Sequence, residues 1–486
     1  MSDVVLELRD IEKTFAGGVT AVRGVSITLR AGEIQALVGE NGAGKTTLAT
    51  IAAGKLAPTA GTVHAAGAVG LVHQHFELIG RLRVWENIVL GAEPRDGLRL
   101  DRNAARERVR ALAQQTGFEL DPDAVVEELP VGVAQRVELL RELSRAPVVL
   151  LLDEPTAVLA PAEIESFFAM VHTLAARGVG VLIITHKLQE VIAHTSRVTV
   201  MRAGRVVAEY LTAQTTVDEI ARTMVGGALP QLAARSVTSA SAAPGLAARN
   251  LSSGSGAHAL RGVSFEVSRG EIVGIAGVEG NGQTALADAI AGVASYEGAL
   301  LFNECALRPL DLRARQDLGI RVIPQDRTRE ALIPPWSIAQ NVALGDQRRA
   351  FARGIRIDYG AVRERARAIV AAFDVRTASI ETPVRTLSGG NQQKVVAGRA
   401  LLGAPAFVLA YQPTRGVDVG AAALLQSRLI EARNTGVAVL LISFELDEIF
   451  ALADRILVLY RGHLRGEFVR DTFDRGRIGA LMAGAA

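Results

Sequence analysis

Gly39-Glu40-Asn41-Gly42-Ala43-Gly44-Lys45-Thr46 is the stretch on which the fold turns. The apolar run Ile34–Val38 leads into it as a strand, and Thr46-Thr47-Leu48 leads out of it as the start of a helix. This is the P-loop spacing. Glycines let backbone N–H groups turn inward around phosphate oxygens at a helix N-terminus, where the helix dipole favours anions. Lys45 then supplies a positive charge to the outer phosphates, and the Thr46 hydroxyl supplies a ligand for Mg²⁺.

Downstream, the apolar strand Val148–Leu152 ends in Asp153-Glu154. Two carboxylates at the end of a buried strand need a reason, because unpaired buried charge is costly. Phosphate chemistry gives one: Asp153 holds the Mg²⁺ shell through water, and Glu154 polarises an attacking water as general base. A third strand, Val181–Thr185, ends in His186, placed to donate to the terminal phosphate. A histidine alone at such a place reads as loop or core; its order after these strands favours the functional role.

The pattern recurs. Arg23-Gly24-Val25-Ser26 and Gly32-Glu33-Ile34 return as Arg261-Gly262-Val263-Ser264 and Gly270-Glu271-Ile272. Further on, Gly132 pairs with Gly390 and Pro155-Thr156 with Pro413-Thr414, so the second copy is about 20 residues longer in its middle. Solenoid repeats run to roughly 20–50 residues, so this long period means duplicated domains. The expectation is a first domain over 1–231, a small, polar, flexible linker over 232–245 and a second domain over 246–486. Alternation of strand-like and helix-like stretches makes both α/β. A helix is expected over Asp101–Phe118, capped by Asp101, with Ala104, Val109, Leu112 and Ala113 as its apolar stripe.

The 486 residues suffice for two cores, and a net charge of +2 gives no bulk field for nucleic acid. The single cysteine, Cys305, excludes a disulfide framework and a cysteine-based metal cluster, and is expected to be a buried small hydrophobe in a reducing compartment. The mixed N-terminus does not read as a signal peptide. Apolar runs stay below the roughly 18 residues of a spanning helix. The expectation is a soluble, cytoplasmic chain that meets a membrane only through a partner.

These motifs resemble the ABC ATPase family over nearly the whole chain. The resemblance implies two tandem P-loop NTPase domains of ABC type, each with a mixed β-sheet core and a helical subdomain, using ATP and Mg²⁺. It implies an aromatic that stacks on adenine, matched by Phe15, and a glutamine loop that reaches the metal and the water, matched by Gln74 in Val72-His73-Gln74-His75-Phe76. It also implies a signature at the head of a helix, matched in the second copy by Leu387-Ser388-Gly389-Gly390-Asn391-Gln392-Gln393.

The copies have diverged in complementary ways. Lys45 corresponds to Gln283, Asp153-Glu154 to Tyr411-Gln412, His186 to Phe444 and Phe15 to Ser253. Conversely, the first copy's signature reads Leu129-Pro130-Val131-Gly132, having lost the serine and a glycine that lets backbone approach phosphate. In the family, domains pair head to tail around each nucleotide. One composite site would then join Lys45, Thr46, Gln74, Asp153, Glu154 and His186 to Ser388, Gly389, Gly390 and Asp418 in an internal pseudo-dimer. The other would be degenerate on both sides.

Within the family, His73-Gln74-His75-Phe76, Thr156-Ala157-Val158, Glu279-Gly280-Asn281-Gly282-Gln283 and Gln412-Pro413-Thr414-Arg415-Gly416 resemble fused subunits of sugar and nucleoside importers. That implies two membrane-spanning permease chains, an extracytoplasmic substrate-binding protein, no nucleic acid, and peripheral attachment at the cytoplasmic face of the inner membrane. Gln412-Pro413 and His73-Gln74-His75-Phe76, with Val131-Gly132 and Arg136-Val137-Glu138, look like the nucleoside branch; simple sugars such as ribose, galactose or xylose are the alternative. Translation or repair ATPases also carry tandem copies, but resemble each other in a charged helical linker or in inserted cysteines. A non-catalytic nucleotide sensor would not need Asp153-Glu154.

Overall fold

The computed structural model describes residues 3–16, 18–73, 77–97, 99–129, 131–156, 159, 161–227, 232–236, 241–308, 311–348, 350–353, 356–482 and 484. Gln74, His75, Phe76, Pro130, Ala157 and Val158 lie outside the described residues. The chain divides into two compact units, Met1–Ala228 and Leu229–Ala486.

The first unit runs β1 (Val4–Thr14), β2 (Thr20–Arg30), β3 (Ile34–Gly39), α1 (Lys45–Ala52), β4 (Ala60–Ala65), β5 (Val69–Val72) and α2 (Val84–Val89). A short hairpin, β6 (Arg95–Asp96) and β7 (Arg99–Leu100), precedes α3 (Arg102–Thr116) and α4 (Val131–Leu143). Then come β8 (Val149–Asp153), α5 (Pro161–Ala176), β9 (Gly180–Ile184), α6 (Leu188–His194), β10 (Arg197–Arg202), β11 (Arg205–Leu211) and α7 (Val217–Val225).

A six-stranded sheet has the order β11-β10-β3-β9-β8-β5, parallel except for the antiparallel edge strand β11. Every residue of β3, β8 and β9 is buried, as a parallel sheet covered on both faces requires. β11 instead alternates between exposed and half-buried positions. A second, antiparallel sheet, β2-β1-β4, packs its apolar residues with those of α1 and β3, among them Leu6, Leu29, Leu37 and Leu48. The helical subdomain has its own core, in which Trp85, Val109, Val137 and Leu140 meet. Asp101 caps α3 as expected, accepting from the N–H groups of Asn103 and Ala104. Its buried stripe is Ala105, Val109 and Ala113 rather than one through Ala104 and Leu112.

The second unit repeats this plan. It runs β12 (Ser241–Ser253), β13 (Leu260–Arg269), β14 (Ile272–Ala276), α8 (Gln283–Ala291), β15 (Tyr296–Phe302), β16 (Cys305–Ala306), α9 (Leu312–Asp317), β17 (Ile320–Ile323) and α10 (Ile338–Ala343). After β18 (Ala352–Arg353), β19 (Arg356–Ile357), α11 (Tyr359–Ala372) and α12 (Gly389–Leu401) come β20 (Phe407–Tyr411), α13 (Val419–Asn434), β21 (Ala438–Ile442), α14 (Leu446–Leu452), β22 (Arg455–Tyr460), β23 (His463–Val469) and α15 (Arg475–Met482). Its main sheet, β23-β22-β14-β21-β20-β17, matches the first unit's strand for strand.

Two expectations are corrected here. The described residues of the stretch 232–245 are tied down: Arg235 pairs with Asp454 at 2.5 Å, the Ala233 N–H donates to Ser427, and residues from Ser241 onward form β12. Its one guanidinium outweighs the small polar composition on which the flexible reading rested. Cys305 is exposed, because the two-residue strand β16 hangs on the edge of its sheet and, among the described residues, pairs only with β15.

Candidate functional site: a phosphate loop with a carboxylate pair

In the first unit the fully buried β3 stops at Gly39, where a Cβ would strike the carbonyl of Met201. The loop ends at Gly44, whose φ of 97° suits glycine and whose Cβ would strike the carbonyl of Ala21. α1 then starts at Lys45, and among the described residues no side chain caps its first N–H groups. A helix N-terminus entered from a glycine turn is the arrangement that receives an anion.

Lys45 is buried, and its ammonium donates to the carbonyls of Gly39 at 2.7 Å and Glu40 at 3.0 Å. Thr46 donates its hydroxyl to Asp153 Oδ2 at 2.8 Å. Asp153 ends β8, two strands from β3, and is 3% exposed. Burial pushes its pKa up, against the Thr46 hydrogen bond, with Glu154 adding repulsion and Lys45 attraction. A divalent cation would relieve that strain. Mg²⁺ is held by few protein oxygens and fills its shell with phosphates and water, which one hydroxyl beside one buried carboxylate suits. Thr46 and Asp153 therefore fit the metal.

Glu154 has a left-handed backbone, φ 52°, pinned by its N–H donating to Ile184 at 2.8 Å. That turn breaks the strand alternation and brings its carboxylate 2.9 Å from His186 Nδ1, the residue two beyond the end of β9. A carboxylate and an imidazole so paired hold and orient a proton at Glu154 Oε1. Phe15 is 41% exposed in the turn joining β1 to β2, with the Lys13 ammonium 5.6 Å from its ring. The same hairpin supplies Ala21, whose carbonyl a Cβ on Gly44 would strike.

Sequence reasoning missed the bracing behind this site. Gln135 of α4 donates to the carbonyl of Pro155, Thr156 donates to Glu190 at 2.7 Å, and Lys187 donates to the carbonyl of Thr156 at 3.0 Å. The second unit repeats it, with Gln393 to Pro413 and Thr414 to Glu448, both at 2.8 Å. The shared Gln and Pro-Thr spacing was the available signal.

In the second unit, Ser388 caps α12, its Oγ accepting from the Asn391 N–H at 3.4 Å and from Asn391 Nδ2 at 3.0 Å. Asp418 caps α13, accepting from the Ala421 N–H at 2.7 Å, and a Cβ at Gly390 would stand 3.4 Å from its other oxygen. Ser388, Gly389, Gly390 and Asp418 thus form one cluster. Arg327, unnoticed in the sequence, joins it: a Cβ on Gly389 would strike its guanidinium, which donates to Arg415 O at 3.1 Å. Burial pushes the Arg327 pKa down.

Two α/β units, each with a glycine-rich loop between strand and helix, and one of them with a lysine, a hydroxyl and paired carboxylates, define a tandem P-loop protein. The family described as ABC transporter matches residues 22–157 and 260–415, and the chain belongs to that family, whose members bind ATP. The chain is 36% identical over 500 residues to the nucleoside import ATP-binding protein NupA of Lactococcus lactis subsp. cremoris, covering 99% of each. It is 38% identical over 495 residues to the ribose import ATP-binding protein RbsA 1 of Streptomyces avermitilis, covering 99% of this chain and 94% of that one. Among solved structures, the complex of archaeal ribosomal stalk protein aP1 and ribosome recycling factor aABCE1 aligns with a TM-score of 0.66 at 17% identity. That match spans 98% of this chain and 92% of that one, and shows the shared fold alone. Among the described residues no helix is long and apolar enough to cross a membrane.

Proposed function

We propose that this chain is the ATP-hydrolysing subunit of an importer, with one competent ATP site built on the first unit's loop. The observation that carries the reading is the set Lys45, Thr46–Asp153 and Glu154–His186, gathered behind one helix N-terminus. Backbone N–H groups from Gly42 to Thr46 and the Lys45 ammonium hold the phosphates, and Phe15 stacks on the base. Mg²⁺, when bound at Thr46 and Asp153, neutralises charge on the outer phosphates. Glu154 takes the proton of the attacking water, and His186 orients Glu154 and donates to the terminal phosphate. Gln74 is assigned to the water and the metal shell.

Ser388, Gly389, Gly390 and Asp418 act on the same nucleotide from the second copy, making the chain an internal pseudo-dimer. Support for this is the complementary loss of motifs in the sequence. The names of the two sequence relatives, both import ATP-binding proteins, support two permease partners, an extracytoplasmic binding protein and peripheral attachment at the cytoplasmic face of the inner membrane.

The cargo is a nucleoside, on the branch motifs Gln412-Pro413 and His73-Gln74-His75-Phe76; the ribose-import relative supports simple sugars as the second reading. The test is uptake by cells carrying the chain with its permease partners, offered labelled adenosine, guanosine, ribose and galactose separately. Nucleoside uptake is expected; uptake of ribose or galactose alone would replace the cargo, and co-purification with ribosomes instead of polytopic membrane chains would replace the importer.

A further inference from the structure

The second unit carries a loop of the same shape, Gly277–Thr284, with Gly282 at φ 106° and α8 starting at Gln283. Its side chains treat it differently. Gln283 is buried, and both ends of its amide are spent inside the loop. Nε2 donates to the Val278 carbonyl at 3.0 Å, and Oε1 accepts from the Asn281 N–H at 2.9 Å. Lys45 can trade its two carbonyls for phosphate with a gain in charge attraction. Gln283 has no charge to gain, and leaving would strip partners from a buried amide and a loop N–H.

The loop is tied from outside as well. Asn281 donates to Val278 O at 2.8 Å and accepts from the Arg461 N–H at 2.8 Å. His258 Nδ1 donates to the Gly280 carbonyl at 2.7 Å. Gln325 donates to the Glu279 carboxylate at 3.0 Å, a further tie on the loop.

The metal position has changed in kind. Where Thr46 meets Asp153, Thr284 Oγ1 meets the Tyr411 hydroxyl at 3.1 Å. Burial raises the Tyr411 pKa to about 12, so at neutral pH the pair offers two uncharged oxygens. Phe444, in the place of His186, packs edge-on against the Tyr411 ring at 6.2 Å, and Gln412 keeps the left-handed turn of Glu154 (φ 51°) without its carboxylate. These residues do not fit Mg²⁺, which needs hard anionic oxygen.

We propose that the loop Gly277–Thr284 is a self-closed, metal-free element that takes no magnesium–nucleotide, so that each chain binds one. The inference rests on the reading of the first loop as the ATP site and adds a stoichiometry to it. It treats the second loop as a fixed part of its unit's scaffold rather than as a weakened copy.

The test is equilibrium dialysis of the full chain against Mg²⁺ and a labelled non-hydrolysable ATP analogue. One equivalent per chain is expected, lost in Lys45→Ala and kept in Gln283→Ala. Two equivalents, or an equivalent that survives Lys45→Ala and vanishes in Gln283→Ala, would overturn the closed loop while leaving the first site intact. No binding to the unaltered chain would instead overturn the ATP reading, and this inference with it. With Mn²⁺ in place of Mg²⁺, spin resonance should count one nucleotide-dependent ion per chain. The count should rise to two in Gln283→Lys combined with Tyr411→Asp, once circular dichroism shows that variant folded. A count of one in the folded double variant would show that these two residues do not close the site.

Discussion

Replacing Asp153 by asparagine should make the nucleotide-free protein more stable while destroying its hydrolysis. Asp153 is 3% exposed, and burial is the first cause of its raised pKa. Asparagine keeps an oxygen to accept the Thr46 hydroxyl now held at 2.8 Å, but carries no charge. A buried, incompletely compensated charge costs on the order of 1–3 kcal/mol. For a unit of this size each kcal/mol shifts the melting temperature by about 2–4 °C, so the first unit's transition should rise by a few degrees.

The sign follows from linkage. Between the unfolded pKa and the raised folded one, the folded state still holds a proton that the unfolded state has released, so stability falls as pH rises through that window. The advantage of Asp153→Asn should therefore be full above the raised folded pKa and shrink as pH is lowered toward the ordinary value of 3.8. Saturating Mg–ATP should reverse the order. At a hundredfold excess over Kd the unaltered protein gains about 2.7 kcal/mol, and the asparagine variant much less. Scanning calorimetry with and without Mg–ATP reads all three effects, the second unit's transition serving as internal reference for the scans without nucleotide. A variant that melts lower without nucleotide, or that still gains fully from Mg–ATP, would refute the assignment of Asp153 as a strained metal ligand.

Other consequences are nearer the surface. Ser388→Ala, although in the second unit, should lower ATP turnover of the assembled transporter by roughly 10- to 100-fold, since a hydrogen bond to a charged group is worth about 1.5–3 kcal/mol; unchanged turnover would remove the signature from the site. Cys305, exposed on β16, should react with maleimide in the native protein as fast as in the unfolded chain, and protection would place it in the interior after all. Arg235→Ala should cost the second unit on the order of 1–3 kcal/mol in urea unfolding, because it leaves part of the half-buried Asp454 network unpaired; no change would restore 232–245 as a free linker.

What the sequence made legible was local chemistry with a fixed spacing. The loop 39–46 sits between its strand and helix because only glycine suits the turn at Gly44, and Asp153, Glu154 and His186 lie at or just beyond the ends of buried parallel strands whose apolar runs were plain. Less legible was anything decided by distant partners. The state of the second loop depends on where a neutral Gln283 amide finds acceptors, and composition alone says only that the cation is gone. Arg235 looked like one charge in a small-residue run, and Asp454, 219 residues away, is what fastens it. Ala105 rather than Ala104 faces the core because the helix phase is set by Asp101 and by Trp85 across the interface, neither of which the stripe encodes. Arg327 lay in a stretch rich in charge, with nothing local to mark its contact with the signature.

The central claim is that a single competent ATP site powers the protein, and steady-state ATP hydrolysis by the reconstituted transporter tests it. Lys45→Ala should lower turnover by roughly 10²–10³-fold, the loss of a charge that meets the transition state, whereas Gln283→Ala at the corresponding place should leave it within about twofold. Equal losses from the two substitutions would contradict the one-site account.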